Sequence, residues 1–527
     1  MNKDSQQNPD RSREVSAAGR PPNILVLMTD EHRLSAIGCY GETPCRTPNI
    51  DRLAAKGVRF ETCYTPCALC TPARASFLTG VYPHTHGMAT NLCEPGCRND
   101  EIPDSPMLLS RRLGELGYAC GYTGKWHLGR GVASAHETAG VPTTRGFVGQ
   151  DFVGHGSGGI EYPVFHDYVK SLGAEFRVIP YAKDGVKATG YGIVDAPPEA
   201  SVPHFLANHT IELIDTFHAG EQPFFIWHND WGPHGEHYVP QKYYDLYKDV
   251  EIPPWPNYEW QGADTPGPWQ VKLHPNRKEL EWDDWAEAVR HYYAMATQID
   301  DEYGRILQHL EELGIADNTV VIFTSDHGAT LGSHGGLTDK GWSHFEEIQR
   351  VGLIIDDPRP DSPLHQPGTV MTQFASLLDV YPTIIELAGG ADPQKNVDGR
   401  SLVPLLRDPA TPWLDSVVVE FAGLGSISLT MLSIRHGDIK YGWNPAGAEE
   451  LYDLAEDPHE MVNRSQDPEF AQEVIEMRRR LYTFMLETRH PSANLFRQSR
   501  LGWTVDRHFK TSPDPLPVES LKTAVNW

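Results

Sequence analysis

Residues 23–30, NILVLMTD, form an unbroken apolar run that ends in an acid, and two later stretches repeat the form: 224–230, FFIWHND, and 320–326, VVIFTSD. Continuous apolar runs separated by amphipathic stretches read as parallel strands buried on both faces. One intervening helix is explicit: Val289, Tyr292, Met295, Ile299, Tyr303, Ile306, Leu310 and Leu313 keep a three-to-four spacing, and Gly314 closes it. The pattern predicts an α/β fold, a large mostly parallel sheet sandwiched by helices. In open sheets of this kind ligands bind beyond the carboxyl ends of the strands. Asp30, Asp326 and the 228–234 stretch fall at such ends, so the polar chemistry is expected on one face.

Outward from these runs, residues 1–22 are polar and lack an apolar segment, so they read as a flexible lead-in and not as a signal peptide. The main domain is expected over 23–410. Within it, 130–285 loses periodicity to Gly, Pro and aromatics, and seven tryptophans fall between Trp227 and Trp285. Long loops above the sheet are expected there, with the indoles either packing on one another or lining a platform for a sugar or aryl group. Residues 427–443 read as a hairpin turning at Gly437-Asp438. Residues 468–487 read as a helix with Phe470, Val474, Met477, Leu481 and Met485 on one face. A smaller C-terminal unit of antiparallel sheet plus helix is therefore expected over 411–490. The remaining 491–527 reads as an arm across the body or against a second copy in a homo-oligomer.

The chain has 527 residues, 39% hydrophobic and 10% aromatic, enough to bury a large core. Its formal charge of −26 argues against nucleic acid or an anionic membrane as partner. An acidic shell also repels anionic substrates, so an anion-processing site must carry its own cluster of positive charge. No run of 18 apolar residues predicts a transmembrane helix, and with the polar start this points to the cytoplasm. All eight cysteines, Cys39, Cys45, Cys63, Cys67, Cys70, Cys93, Cys97 and Cys120, fall in the first quarter. The chain is too long and too Cys-poor for a disulfide scaffold, and no second CxxC pair completes a zinc or iron–sulfur site around Cys63, Cys67 and Cys70. Most are expected to be small buried hydrophobes.

The chemistry concentrates in 70–80, CTPARASFLTG. Pro72 suits the first turn of a helix, where its missing N–H costs nothing. Cys70 would then sit at a helix N-terminus, where free amides and the dipole favour an anion. Arg74, one turn on, can point back and grip an oxyanion in bidentate fashion.

This segment resembles the sulfatase signature, in which the cysteine is oxidised after translation to formylglycine. Further stretches resemble the family's landmarks: 47–54 TPNIDRLA, 124–129 GKWHLG, 398–402 DGRSL and 450–454 ELYDL. The resemblance spans roughly 23–465 and is weakest in 130–285. It implies an alkaline-phosphatase-like fold and a formylglycine-generating maturation enzyme acting on Cys70. It also implies a divalent metal held by Asp30, Asp326 and His327, with position 70 as a further ligand. Glu31 joins the set where relatives carry Asp or Gln. Carboxylates plus an imidazole suit a hard cation, Ca²⁺ first and Mn²⁺ or Mg²⁺ next. Arg74, Lys125, His127, His234 and Lys340 match positions that bind the nucleophile or the sulfate oxygens, and Asn91 matches a polar position near the leaving group. The family pattern carries a proline two residues after His234, whereas Glu236 stands here.

The chemistry implied is hydrolysis of a sugar or aryl sulfate, the substrate being a small molecule or a glycan. A hydrated aldehyde offers two hydroxyls on one carbon. One attacks sulfur, while the metal, Arg74, Lys125 and Lys340 stabilise the charge that gathers on the sulfonyl oxygens. His234, with Lys340 nearby, is expected to protonate the alcohol. His127 assists the second hydroxyl, and the carbonyl re-forms as sulfate leaves. A phosphonate monoester or phosphodiester hydrolase on the same scaffold is the nearest alternative. Relatives with that preference tend to lose the Lys-x-His pair, which is intact here as Lys125 and His127. A non-catalytic glycan-binding protein would have no use for the full ligand set, and a phosphomutase or alkaline phosphatase should carry Ser or Thr at position 70.

Overall fold

In the computed structural model the run 23–30 is the strand Asn23–Asp30, near the middle of a nine-stranded sheet. The structure describes residues 21–498 except 93, 95–96, 131–139, 153–154, 156, 182–189, 265–266, 276, 392–395 and 446–448. Most of the expected lead-in, Cys93 and the arm beyond 498 therefore lie outside the described residues. Across the sheet the strands run Thr369–Met371, Val58–Tyr64, Arg350–Asp356, Thr319–Ser325, Asn23–Asp30, Phe224–Pro233, Ala119–Gly124 and Val148–Gly149, and Ala375–Ser376 also pairs with Val58–Tyr64. The three runs singled out from the sequence lie side by side and parallel, with Leu25 opposite both Ile226 and Val321. Arg350–Asp356 runs antiparallel to both its neighbours, so the sheet is mostly parallel.

Alternation along the central strand supplies both layers of core. Ile24, Val26 and Met28 pack with Phe77, Leu78, Leu377 and Ile384 on one face. Leu25 and Leu27 pack with Ile214, Tyr292 and Ile299 on the other. Those contacts seat the helices Cys70–Thr79 and Leu377–Leu387 against the first face, and Val202–Ala219 and Trp282–Glu312 against the second. The last begins with a capping box between Glu281 and Asp284, and Gly314 follows it in the left-handed region (φ 68).

The 130–285 stretch is more ordered than loops. It contains the helices Pro163–Ser171 and Val202–Ala219, the main-sheet strand Phe224–Pro233 and the small sheet of Val178–Pro180, Tyr191–Val194 and His237–Pro240. Pro and Gly punctuate short elements here, which hid their periodicity. The tryptophans chiefly pack inward. Trp227, Trp231, Trp260, Trp269 and Trp285 are buried, and the rings of Trp260 and Trp269 lie 5.4 Å apart edge to face.

Toward the C-terminus the strands Ser416–Leu424, Ile427–His436, Ile439–Trp443 and Glu450–Asp453 form a separate antiparallel sheet. Val474, Met477, Leu481 and Met485 of the helix Ala471–Glu487 cover it. The first described residues of the expected arm instead form a short helix, Ala493–Gln498, whose Phe496 packs on Trp443. This sheet also touches the chain just before Cys70. Glu420 N–H donates to Pro66 O (2.8 Å), His84 Nδ1 lies 2.6 Å from Glu420 Oε1, and Cys67, Leu69, Trp342, Phe421 and Met431 share one buried cluster. No described helix is long and apolar enough to cross a membrane.

Truncating Phe421 to Ala removes the wall behind this loop. It is expected to cost about 3–5 kcal/mol, measurable as a lowered denaturant midpoint.

Candidate active site

Parallel register builds the acidic half of the site. Thr29 lies opposite Ser325, so the next residue of each chain, Asp30 and Asp326, leaves the sheet at the same level. Cys70 opens the helix Cys70–Thr79, which ends at Gly80 (φ 73), and all ten of its residues are buried. Its Sγ lies 3.3 Å from His327 Nε2, 3.4 Å from Lys125 Nζ and 3.7 Å from Asp30 Oδ1. The expected Asn91 sits at the same helix end, where its Oδ1 accepts from Thr71 N–H (3.3 Å).

Asp30, Cys70, Asp326 and His327 form a buried group whose ligand-type atoms all lie within 4.8 Å of one another. His327 Nδ1 lies 2.9 Å from Gly328 O, so a proton there donates to the carbonyl and leaves Nε2 facing the group. The donor set fits a hard divalent cation. Glu31 stands apart from the four. It groups with Asp30 and His234, and its carboxylate meets Lys340 Nζ at 2.8 Å and His234 Nε2 at 3.3 Å. The third expected carboxylate ligand thus meets a lysine and a histidine, and Glu31 takes a left-handed backbone (φ 59).

Arg74 departs further from expectation. Its guanidinium is completely buried and faces the carboxylates: Nε donates to Asp326 Oδ2 (3.0 Å), Nη2 to Asp30 Oδ2 (2.9 Å), and Nη1 to Lys125 O (2.9 Å) and Asn229 Oδ1 (2.7 Å). An arginine so occupied braces the acidic pair; it is not held out for a sulfonyl oxygen. Lys125 takes the outward position. It is fully buried, and its Nζ reaches Asp30 Oδ2 at 2.6 Å as well as Cys70.

These charges set the protonation states. Burial and Asp30 push the Cys70 thiol up, but Lys125, Lys340 and His327 outweigh them and bring it down to about 6. Burial opposes charge on Lys340, yet Cys70, Glu31, Asp339 and Asp30 hold it well above the usual range. Burial and the two lysines hold His234 well below its ordinary value, and His127 is lowered by burial and Lys125. Of the pair expected to supply a proton, the lysine therefore carries it at neutral pH and the histidine does not. His127 also has φ 52, and its Nδ1 is buried without a hydrogen bond among the described residues.

Three residues escaped the sequence reading. Asn229 is the last residue but one of the recognised run 224–230, and the strand-end rule could have found it. Asp339 precedes Lys340 and pairs with it at 3.3 Å. His155 comes from a glycine-rich stretch with no signal of its own, yet its ring lies 4.6 Å from that of His234 and 5.5 Å from that of His127. Beside Glu31 and His234 opens a cavity of about 300 Å³ walled by Tyr191 and Trp285.

The fold and this cluster define a member of the alkaline-phosphatase-like superfamily. Residues 22–391 match the sulfatase family model, and 332–487 match the model for the C-terminal part of N-sulphoglucosamine sulphohydrolase. The chain belongs to the sulfatase family and is a sulfuric ester hydrolase. It is similar to the N-acetylglucosamine-6-O-sulfatase of Bacteroides thetaiotaomicron, with 29% identity over 86% of this chain and 85% of that one. Among solved structures, the phosphonate monoester hydrolase of Agrobacterium radiobacter superposes with a TM-score of 0.72 at 23% identity, over 89% of this chain and 96% of that one. The structure of BT4656 with its substrate D-glucosamine-2-N,6-O-disulfate gives 0.68 at 21%, over 90% and 99%. At those identities the superpositions speak for the fold alone.

Burial pushes Cys39 and Cys120 up to about 12 and raises Cys45, Cys63 and Cys67, so Cys70 stands apart. In metal-free protein with the thiol intact, ultraviolet absorbance should show a thiolate appearing as pH rises through about 6. The step should vanish in Cys70→Ala and move to higher pH in Lys125→Met.

Replacing Arg74 by Lys leaves the two buried carboxylates short of a partner. It is expected to destabilise the fold by about 3–5 kcal/mol, read as a lowered melting temperature.

Proposed function

We propose that the protein hydrolyses a sugar or aryl sulfate ester to the alcohol and inorganic sulfate, with Cys70 oxidised to formylglycine by a maturation enzyme. The observation that carries the reading is the convergence of Asp30, Asp326, His327 and Lys125 on Cys70 Sγ. In this reading residues 23–410 form the catalytic unit and 411–490 support it. Asp30, Asp326, His327 and position 70 would hold the divalent cation, calcium first on the oxygen-rich donor set. Such an ion supplies Lewis-acid polarisation and makes a hydroxyl at position 70 more acidic.

The side chains divide the remaining labour. Hydration of the aldehyde gives position 70 two hydroxyls, one of which attacks sulfur. Lys125, buried 3.4 Å from that position, stabilises the negative charge that builds on the sulfonyl oxygens. Arg74 acts one step back, fixing Asp30 and Asp326. The departing alcohol takes its proton from Lys340, with His234 orienting it through their shared contact with Glu31. His127, held neutral by burial and Lys125, then accepts the proton of the second hydroxyl. The carbonyl re-forms and sulfate leaves.

The same scaffold could serve a phosphonate monoester or phosphodiester, and the intact pair Lys125 and His127 favours sulfate. Two results are expected. Mass analysis of the peptide containing Cys70, from the native host, should show the aldehyde in place of the thiol. Purified protein should hydrolyse 4-nitrophenyl sulfate faster than the phosphate diester or phenylphosphonate. A sulfate rate orders of magnitude below the others would overturn the assignment. Cys70→Ala should abolish turnover, and Lys125→Met should lower kcat by about 10²–10³.

A further inference from the structure

The cavity beside the site bears on the alcohol half of the substrate. Its volume of about 300 Å³ is at the low end for small-molecule sites, room for one sugar ring and little more. Glu31 and His234 form the end nearest the candidate catalytic groups, and Tyr191 and Trp285 give aromatic walls. The charges at that end are matched, since Lys340 meets Glu31 at 2.8 Å and Lys272 meets Asp339 at 2.5 Å. Glu236 differs from them. It lines the same cavity, is exposed, and forms no ion pair with a described residue. It also stands where the resemblance expects a proline, so a carboxylate takes the place of a neutral ring in the wall of this cavity.

We propose that Glu236 selects the alcohol half by charge. It accepts hydrogen bonds from sugar hydroxyls, and best from a free ammonium group, and it repels a second sulfate or a carboxylate on the same ring. The preferred substrate is therefore a neutral or amino-sugar monosulfate. This inference rests on the sulfatase reading above. A carboxylate bonded to a charged donor discriminates far better than one bonded to a neutral group, and repulsion of a second anion adds to it.

The test uses the matured, metal-loaded full chain and three probes: glucosamine 6-sulfate, glucosamine 2-N,6-O-disulfate and 4-nitrophenyl sulfate. The monosulfate with its free amine should exceed the disulfate in kcat/KM by about tenfold or more, and the margin should shrink as ionic strength rises. Glu236→Gln should bring the two sugars close to parity, and Glu236→Lys should reverse their order. Nitrophenyl sulfate carries neither an amine nor a second anion, so its kcat/KM should shift by less in either variant than the ratio of the two sugars does. Equal or faster hydrolysis of the disulfate by the unchanged protein would overturn the proposal, as would a preference that survives Glu236→Gln. Turnover of nitrophenyl sulfate with neither sugar accepted would remove the sugar class while leaving the sulfatase reading intact. No sulfate turned over at all would sink that reading and this inference with it.

Discussion

One buried ion pair network organises this protein: the guanidinium of Arg74 set between the carboxylates of Asp30 and Asp326. A guanidinium taken wholly out of water is tolerable only when its donors are satisfied and its charge is matched. Here the partners come from separate parts of the chain. Asp30 ends one strand, Asp326 follows another, Asn229 lies near the end of a third, and Lys125 O follows a fourth. Four neighbouring strand ends and one helix must therefore be in register for the network to close. A slip of one residue in either central pairing would carry an aspartate to the other face of the sheet.

The same network separates the roles of the cations. The surface is strongly acidic, yet the interior at the strand ends collects Arg74, Lys125 and Lys340, all buried. Arg74 is consumed by the carboxylates, which leaves Lys125 to face position 70 and Lys340 to face Glu31 and Asp339. Its pairing with Glu31 and Asp339 keeps Lys340 charged, and burial beside the lysines holds the imidazoles of His127 and His234 well below their ordinary value. An anion reaching this point meets cations that cannot relax away from it, because their own counter-charges are fixed in the sheet.

Support for Cys70 comes from a distance in sequence. The C-terminal antiparallel sheet backs the loop before Cys70 through Phe421 and Glu420, and Gly341 (φ 71) lets the chain beside Lys340 pass over the Phe421 ring, where an added Cβ would lie 2.7 Å from it. Left-handed backbones at Glu31, His127 and Asp339 mark the same place. Strain of this kind persists where surrounding structure over-determines a conformation, and here it aims side chains that ordinary strand or helix geometry would turn elsewhere.

By itself the sequence determined the sheet and the position of its chemistry. Continuous apolar runs ending in acids read as buried parallel strands, and their order of residues puts Asp30 and Asp326 at the ends where ligands bind. The stretch 70–80 likewise carried its helix in local spacing, while the role expected of Cys70 came from the resemblance of that stretch to the sulfatase signature. What the sequence could not carry was the direction of each polar side chain. Arg74 reads as an anion binder until Asp30 and Asp326 are seen around it. Glu31 reads as a ligand, and the fold sets its carboxylate beside Lys340 and His234; His234 reads as the acid, and burial with two lysines holds it well below its ordinary value. His155, Asn229 and the cavity wall at Glu236 belong to contacts between segments far apart in the chain. Periodicity records how often a side chain returns to a face, but only the packed fold sets which charges share a small volume away from water, and that sharing decides what each of them does.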